Sequence, residues 1–202
     1  MKKTIVPAFA IFASFLFSAA APKGAMAAET FSYDPLHTQV FFTVNHMGFT
    51  DVRGRFDSFG GTFTLDEAHP ALSRADFTIK ASSIDMGSDV WNSHIEEGFL
   101  DSAKYPEIVF KSTKVVQTGA KTADMTGDLT LHGVTKPVTL HVTLNKTGVN
   151  PFIASRVDAG FSVTGTIKRS DFGMTKFIPV VGDDIGIDIA VDGMRQTDKT
   201  NK

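Results

Sequence analysis

The feature that most constrains the fold is the alternation of apolar and polar residues in the segment GDLTLHGVTKPVTLHV, residues 127–142. Apolar side chains fall on one side of an extended chain before a polar break at 133–137, and again after it. A period of two is typical of antiparallel strands with one apolar and one polar face. The segment therefore predicts a strand pair whose apolar face either packs into a core or lines a cavity for a guest molecule.

The same alternation recurs along most of the chain. The candidate strands are 31–33, 38–46, 61–65, 76–81, 108–112, 125–131, 138–144, 161–167 and 185–191. Glycine is spread between and within these segments, as turns and bulges require, and no linker-like composition divides the chain. Many short strands at close spacing predict an all-β fold, either a sandwich or a closed barrel.

One segment has a different period. Trp91, Ile95 and Phe99 recur at four-residue spacing within 88–100, and Ser88 could provide the N-cap. This spacing predicts a short amphipathic helix that lies on the sheet. On a barrel, such a helix would cover one mouth.

The first 27 residues have the pattern of a Sec-type signal peptide. A basic start is followed by an uncharged apolar run at 5–21, and Ala25 and Ala27 occupy the −3 and −1 positions of a cleavage site. The alternative is a retained anchor, but the run is short for a membrane span of about 20 residues. We therefore predict cleavage after Ala27, a single domain at 28–202, and no stable membrane insertion after removal of the signal peptide.

Charge and cysteine content exclude several classes of function. Removal of the signal peptide takes away three basic residues and no acidic one, which changes the net charge from −2 to −5. This balance argues against nucleic acid as a partner and against electrostatic docking to anionic membranes. The chain has no cysteine, so it cannot form disulfides, thiolate metal sites or covalent c-type haem links.

The sequence lacks the common catalytic motifs. It contains no Gly-x-Ser-x-Gly, no phosphate-binding loop of the Walker type and no glycine-rich dinucleotide fingerprint. Its histidines, such as His37 and His46, lack the spacing of metal ligands. We predict no catalytic residues, no metal site and no cofactor. Arg169 and Asp171 flank a turn and are predicted to form a structural ion pair, whereas His132 and His141 are predicted to be inert on the solvent side.

Four segments in order along the chain carry a resemblance. They are DPLHTQVFFTVNHMGFTDVRGRF at 34–56, YPEIVFKST at 105–113, GDLTLHGVTKPVTLHV at 127–142 and IKRSDFGM at 167–174. Together they resemble the YceI-like family of polyisoprenoid-binding, lipocalin-like periplasmic proteins of bacteria. The resemblance covers about 31–192. One segment departs from it, because the family usually has Arg-Asp-x-His-Leu where this chain has Trp-Asn-Ser-His-Ile at 91–95. This difference suggests a more apolar or differently shaped entrance.

The resemblance implies an extended eight-stranded antiparallel barrel with a short helix near one mouth and a long apolar pore. In such a barrel, the residues predicted to contact a ligand lie on the inward faces of the strands and on the helical segment. They are Val40, Phe42, Val44, His46, Trp91, His94, Phe99, Phe110, Leu129, Leu131, Phe161 and Phe172.

The function that follows is that of a periplasmic carrier or scavenger that is not an enzyme. Its expected ligand is an isoprenoid lipid, a quinone-like molecule or a fatty amide. Two alternatives stay open: a barrel with a filled core that acts through protein contacts in structure or stress, and an enzyme that uses His46 and His94 on a bound lipid. Whether the barrel forms a homodimer is also left open.

Overall fold

The computed structural model describes residues 28–196, so the predicted signal peptide and the polar tail at 197–202 lie outside the described residues. The described chain forms eleven β-strands. They are β1 Glu29–Tyr33, β2 Gln39–His46, β3 Thr50–Phe56, β4 Phe59–Leu65, β5 Arg74–Lys80, β6 Ile84–Asp85, β7 Glu107–Gln117, β8 Thr122–Leu131, β9 Val134–Val149, β10 Val157–Lys168 and β11 Val181–Arg195.

Antiparallel pairing closes these strands into a barrel. The ring runs β1-β4-β5-β7-β8-β9-β10-β11 and is completed by pairing of β1 with β11, so eight strands enclose the interior. Strand β11 pairs with β1 at 193–195 and with β2 at 185–190, so β1 and β2 lie one after the other along the same edge of β11. Strand β3 pairs with the other edge of β2. The predicted eight-stranded antiparallel barrel is confirmed. Closure removes the unpaired edges that an open sheet of this kind would expose.

The β8–β9 hairpin shows how the sequence alternation becomes an inside and an outside. Leu129, Leu131 and Leu140 are buried, whereas the hydroxyl groups of Thr130 and Thr135 meet on the outer face at 2.8 Å. The turn is only His132 and Gly133, both with positive φ, as a tight two-residue hairpin requires. The predicted polar break at 133–137 is therefore too long, because the strand resumes at Val134.

A short helix crosses one end of the barrel. Helix α1 is Asp89–Ile95, and one π-helical turn, Glu96–Leu100, continues it. The predicted helical segment is confirmed. Ser88 occupies the N-cap position, as predicted, but its side chain forms no capping hydrogen bond. Three single-turn 3-10 helices complete the described elements: Pro70–Leu72, Ala81–Ser83 and Arg169–Phe172.

Arg169 anchors the loop between β10 and β11 and does not pair with Asp171. The guanidinium group is 3% exposed and donates hydrogen bonds to the main-chain carbonyl oxygens of Met174 at 2.6 Å, Gly182 at 2.8 Å and Val181 at 2.9 Å. The predicted Arg169–Asp171 pair is thus wrong: Asp171 is exposed, and the buried donors of Arg169 are taken up by main-chain carbonyl groups of the loop and of the start of β11. Burial lowers the pKa of Arg169, and the nearby negative charge of Asp183 offsets part of this lowering.

The break between β1 and β2 is held by a buried carboxylate. Asp34 is 4% exposed; its oxygens accept hydrogen bonds from the main-chain N–H of Leu36 at 2.8 Å and from His37 Nδ1 at 2.9 Å. Burial alone would raise the pKa of Asp34, but these hydrogen bonds outweigh it and lower the pKa. The same hydrogen bond with Asp34 raises the pKa of His37.

The Asp34–His37 pair predicts a pH window of stability. The contribution of Asp34 is present above its ordinary pKa of 3.8 and is lost as the pH falls through its lowered pKa. The contribution of His37 is complete below the ordinary histidine pKa of 6.5 and is lost as the pH rises through its raised pKa. We expect the free energy of unfolding of the wild type to decline as the pH rises from 6.5 through the raised pKa of His37. His37→Gln should flatten this decline in urea titrations from roughly pH 5 to 9, a range that brackets the ordinary histidine pKa, and an unchanged slope would contradict the assignment.

The β8–β9 turn can be tested with two glycines that share the same backbone conformation. Gly133 has φ +74 and Gly48 has φ +75, but a Cβ at Gly133 would lie 2.4 Å from Tyr105 Cε1, whereas a Cβ at Gly48 meets nothing within 4 Å. We expect Gly48→Ala to lower the free energy of unfolding by about 1–2 kcal/mol through backbone strain alone. Gly133→Ala should lose about 1–3 kcal/mol more because Tyr105 must move. Denaturant titration measures both, and equal losses would contradict the predicted contact.

Candidate ligand-binding channel

The barrel interior contains two cavities along its axis. The helix-side cavity has a volume of about 200 Å³ and is bounded at its outer end by Ile95, Phe99 and Leu100 of the helical segment. The loop-side cavity has a volume of about 240 Å³ and ends at the β4–β5 and β7–β8 loops. The interior is therefore not solidly packed with side chains.

The two cavities share a wall. Four residues, Phe77, Phe110, Leu140 and Ile189, line both of them and form what we call the waist. Along β11, the inward residues pass from one cavity to the other: Ile185 and Ile187 line the helix-side cavity, and Val191 lines the loop-side cavity. The two cavities thus lie end to end with the waist between them, and together we call them the channel.

The interior stays open because several large side chains lie flat against the wall. They cover inward-facing glycines on nearby strands, where a Cβ would come within 2.7 Å of them. The pairs are Phe110 over Gly127, Leu140 over Gly165, Phe63 over Gly193 and Phe42 over Gly54. A side chain that lies over a glycine fills the space beside the backbone and does not reach across the lumen, so large apolar residues line the channel without filling it.

The two ends of the channel differ in polarity. The helix-side cavity is lined by apolar side chains, with Arg169 as the polar exception among the described lining residues. The loop-side cavity has a polar rim at its outer end. The rim is formed by Asp66, Glu67, Ser73, Arg74, Gln117, Lys121 and Thr122. The polar mouth therefore lies at the end opposite the helix, and no periodic pattern in these loop residues could have identified it from the sequence.

Most of the sequence-predicted ligand contacts line the channel. Seven of them line the helix-side cavity: Val40, Phe42, Val44, Phe99, Phe110, Leu129 and Leu131. Phe161 lines the loop-side cavity. Their contact with a ligand stays a prediction. Strand alternation predicted the inward side of all of them except Phe99, which lies in the helical segment.

The other four predicted residues do not line either cavity. His46 packs edge-on against Trp91, with ring centroids 6.2 Å apart, outside the lining of the helix-side cavity. His94 is not part of the lining either; its ring packs edge-on against Phe99, with ring centroids 5.7 Å apart. Phe172 is 1% exposed and is enclosed by protein atoms of the main core. The two histidines thus lie outside the channel wall, away from where they would meet a lipid inside it.

Tyr33 is a channel residue that the sequence analysis missed. It lines the loop-side cavity, and its ring packs against Phe63 at 5.4 Å and edge-on against Phe77 at 4.7 Å. Burial, with a smaller contribution from the Asp76 carboxylate, raises the pKa of the Tyr33 hydroxyl well above its ordinary value, so the group stays protonated. Tyr33 faces inward because it is two residues from the buried Phe31 and therefore lies on the same face of β1. The strand is too short for this pattern to be recognised in the sequence.

Two further observations concern residues 28–196. Within that range, no three His, Cys, Asp or Glu side chains come together in a group that could hold a metal ion. No helix of the described part is long and apolar enough to cross a membrane.

The chain is similar to known proteins over almost its whole length. A YceI-like domain matches residues 31–192. A UPF0312 protein of Pseudomonas putida strain W619 is 41% identical over 180 residues, which cover 85% of this chain and 89% of the relative. The protein YceI of Escherichia coli O6:H1 is 38% identical over 199 residues, 97% of this chain and 100% of the relative.

Solved structures show the same fold. BcnA of Burkholderia cenocepacia superposes with a TM-score of 0.72 at 25% identity, over 79% of this chain and 98% of that one. A polyisoprenoid binding domain from Saccharophagus degradans superposes with a TM-score of 0.62 at 17% identity, over 82% of this chain and 98% of that one. The domain match, the identities to full-length relatives and the shared barrel together show that this chain belongs to the YceI-like family.

Proposed function

We propose that this protein binds one long-chain lipid of the polyisoprenoid type inside its barrel and acts as a carrier or scavenger, not as an enzyme. The observation that carries the proposal is the apolar channel, in which two cavities of about 240 and about 200 Å³ meet at an apolar waist. The neighbour from Saccharophagus degradans is described as a polyisoprenoid binding domain, which agrees with this use of the fold.

The hydrophobic effect is large enough to hold such a ligand. A polyisoprenoid tail carries several hundred Å² of apolar surface, and at ~25 cal/mol per Å² its burial is worth on the order of 10 kcal/mol before ordering costs. Affinity therefore needs few hydrogen bonds. Quinone-like molecules and fatty amides have similar tails and are included in the proposed ligand class.

The channel chemistry favours binding over catalysis. Its buried cation, Arg169, donates to three main-chain carbonyl oxygens and is used to hold a loop. His46 and His94, the residues that an enzyme acting on the lipid would use, lie outside the lining of the cavities. The cavities themselves argue against the alternative of a barrel with a filled core.

We also propose that the protein works in the periplasm, where a lipid tail must be shielded as it crosses water between two membranes. The proposal rests on the signal-peptide pattern of residues 1–27. We expect protein purified from the periplasmic fraction to begin at Ala28, as measured by intact mass and N-terminal sequencing. A full-length chain that stays with the membrane fraction would contradict this localisation.

Lipid binding can be tested by filling the loop-side cavity. Ala123 lines that cavity, whereas Ala190 is exposed on the outer face of β11. Wild-type protein should release about one lipid per chain on organic extraction, identified by mass spectrometry. Ala123→Trp should lose most of this lipid because the indole occupies its space, and Ala190→Trp, the same change on the outside, should keep it.

Thermal unfolding of both variants checks that the barrel is intact. If Ala123→Trp does not fold, Ala75→Phe fills the same cavity from β5, two strands away in the ring. An empty extract from wild-type protein that also fails to bind added lipid would overturn the proposed function. Equal lipid content in the folded inside and outside variants would place the lipid outside the channel and would overturn its proposed site.

A further inference from the structure

The Tyr33 hydroxyl is an unusual group inside this channel. Tyr33 lines the loop-side cavity directly beside the waist, since its ring contacts the waist residue Phe77 at 4.7 Å. The nearest inward neighbours on the adjoining strands, such as Phe63 and Val191, are apolar. The hydroxyl is thus a polar group at the inner end of a mostly apolar cavity.

Tyr33 is partly buried. Burial and the Asp76 carboxylate raise the pKa of its hydroxyl, and no hydrogen bond with residues 28–196 contributes to that pKa. Buried tyrosine hydroxyls usually have a partner, because removing an O–H from water without replacing its hydrogen bond costs free energy. Phenylalanine would fill the same space without that cost. A tyrosine at this position is accounted for if a molecule inside the cavity accepts the hydrogen bond.

The position of the hydroxyl is fixed before any ligand arrives. Phe63 lies tilted against the Tyr33 ring at 5.4 Å, and Phe77 meets its edge. Phe63 is in turn held by Phe31, stacked at 5.0 Å, and by Phe161, edge-on at 5.5 Å. A donor held by packed rings loses little freedom on binding, so it can discriminate between ligands.

We propose that the Tyr33 hydroxyl donates a hydrogen bond to a carbonyl oxygen on the head of the bound lipid. The inference rests on the proposed function and deepens it, because it assigns a specificity-determining residue and an orientation. The head occupies the loop-side cavity between Tyr33 and the polar rim. The tail passes the waist into the helix-side cavity, whose walls are apolar apart from the carbonyl-bound Arg169.

The orientation agrees with the polarity of the two ends. The rim residues Arg74, Lys121 and Glu67 border the loop-side cavity, so polar atoms of a head beyond the carbonyl group remain near water and charge. At the other end, Phe99 and Leu100 close the helix-side cavity with apolar surface, which suits the end of a hydrocarbon chain. A quinone ring and a fatty amide both supply the required carbonyl oxygen.

The test uses Tyr33→Phe, which removes only the oxygen, and Tyr105→Phe as the matched control. Tyr105 is the other tyrosine of the chain; it packs on His132 outside the channel lining. Delipidated wild-type and variant proteins are titrated calorimetrically with three probes: decylubiquinone, oleamide and squalene, which has an isoprenoid chain and no carbonyl. Infrared spectroscopy of the bound quinone or amide follows its carbonyl stretch.

We expect Tyr33→Phe to weaken binding of at least one carbonyl probe by about 2- to 10-fold, as loss of one hydrogen bond would. The carbonyl stretch of that probe should shift upward in the variant. Squalene binding should not change, and Tyr105→Phe should bind all three probes like the wild type. The probe that responds separates the quinone source from the amide source.

Three outcomes would overturn the inference. They are unchanged affinity for both carbonyl probes, an equal loss for squalene, and an unshifted carbonyl stretch. Each of them leaves the proposed function standing, because wild-type protein still binds lipid. Failure of all three probes to bind the wild type would instead count against the proposed function itself.

Discussion

The structure depends on the closure of its sheet through the pairing of β1 with β11. This pairing joins residues 160 or more positions apart, Phe31 with Arg195 and Tyr33 with Gly193. Closure turns the apolar face of every strand towards a common interior and removes the edges of the ring. Without it, the same faces would need a second layer to cover them. The enclosed space, its mouth and the position of Tyr33 all follow from this ring.

An eight-stranded barrel can either fill its interior or keep it open. Here glycines decide between the two, because they let large neighbours lie against the wall. Phe110 lies over Gly127, and Leu140 lies over Gly165. Both large residues belong to the waist, so the same contacts that keep the lumen open also set its narrowest point. Stability and ligand space therefore depend on the same packing, and a methyl group added at either glycine would push a waist residue into the channel.

The polar groups of the interior divide into two kinds. Arg169 is buried, but its guanidinium group donates hydrogen bonds to main-chain carbonyl oxygens and so stabilises the loop that precedes β11. Tyr33 is partly buried, and no hydrogen bond with a described residue contributes to the pKa of its hydroxyl, which leaves the hydroxyl available to a ligand. Both side chains carry a polar group and border the channel. What separates a structural group from a candidate binding group is whether the protein itself satisfies the hydrogen bonds.

The sequence by itself determined most of the strands, their inward faces and the family, because alternation and turn residues are local signals; it missed β3 and β6. Val40, Leu129 and Phe161 could be placed inside from that period alone. The tertiary structure decided the rest: the two-residue turn at Gly133, the carbonyl partners of Arg169, the placement of His46 and His94 outside the lining, and the polar rim opposite the helix. It also decided that the interior stays open. These features depend on distances across the lumen between strands far apart in sequence, and a period of two says which way a side chain points but not what it meets there.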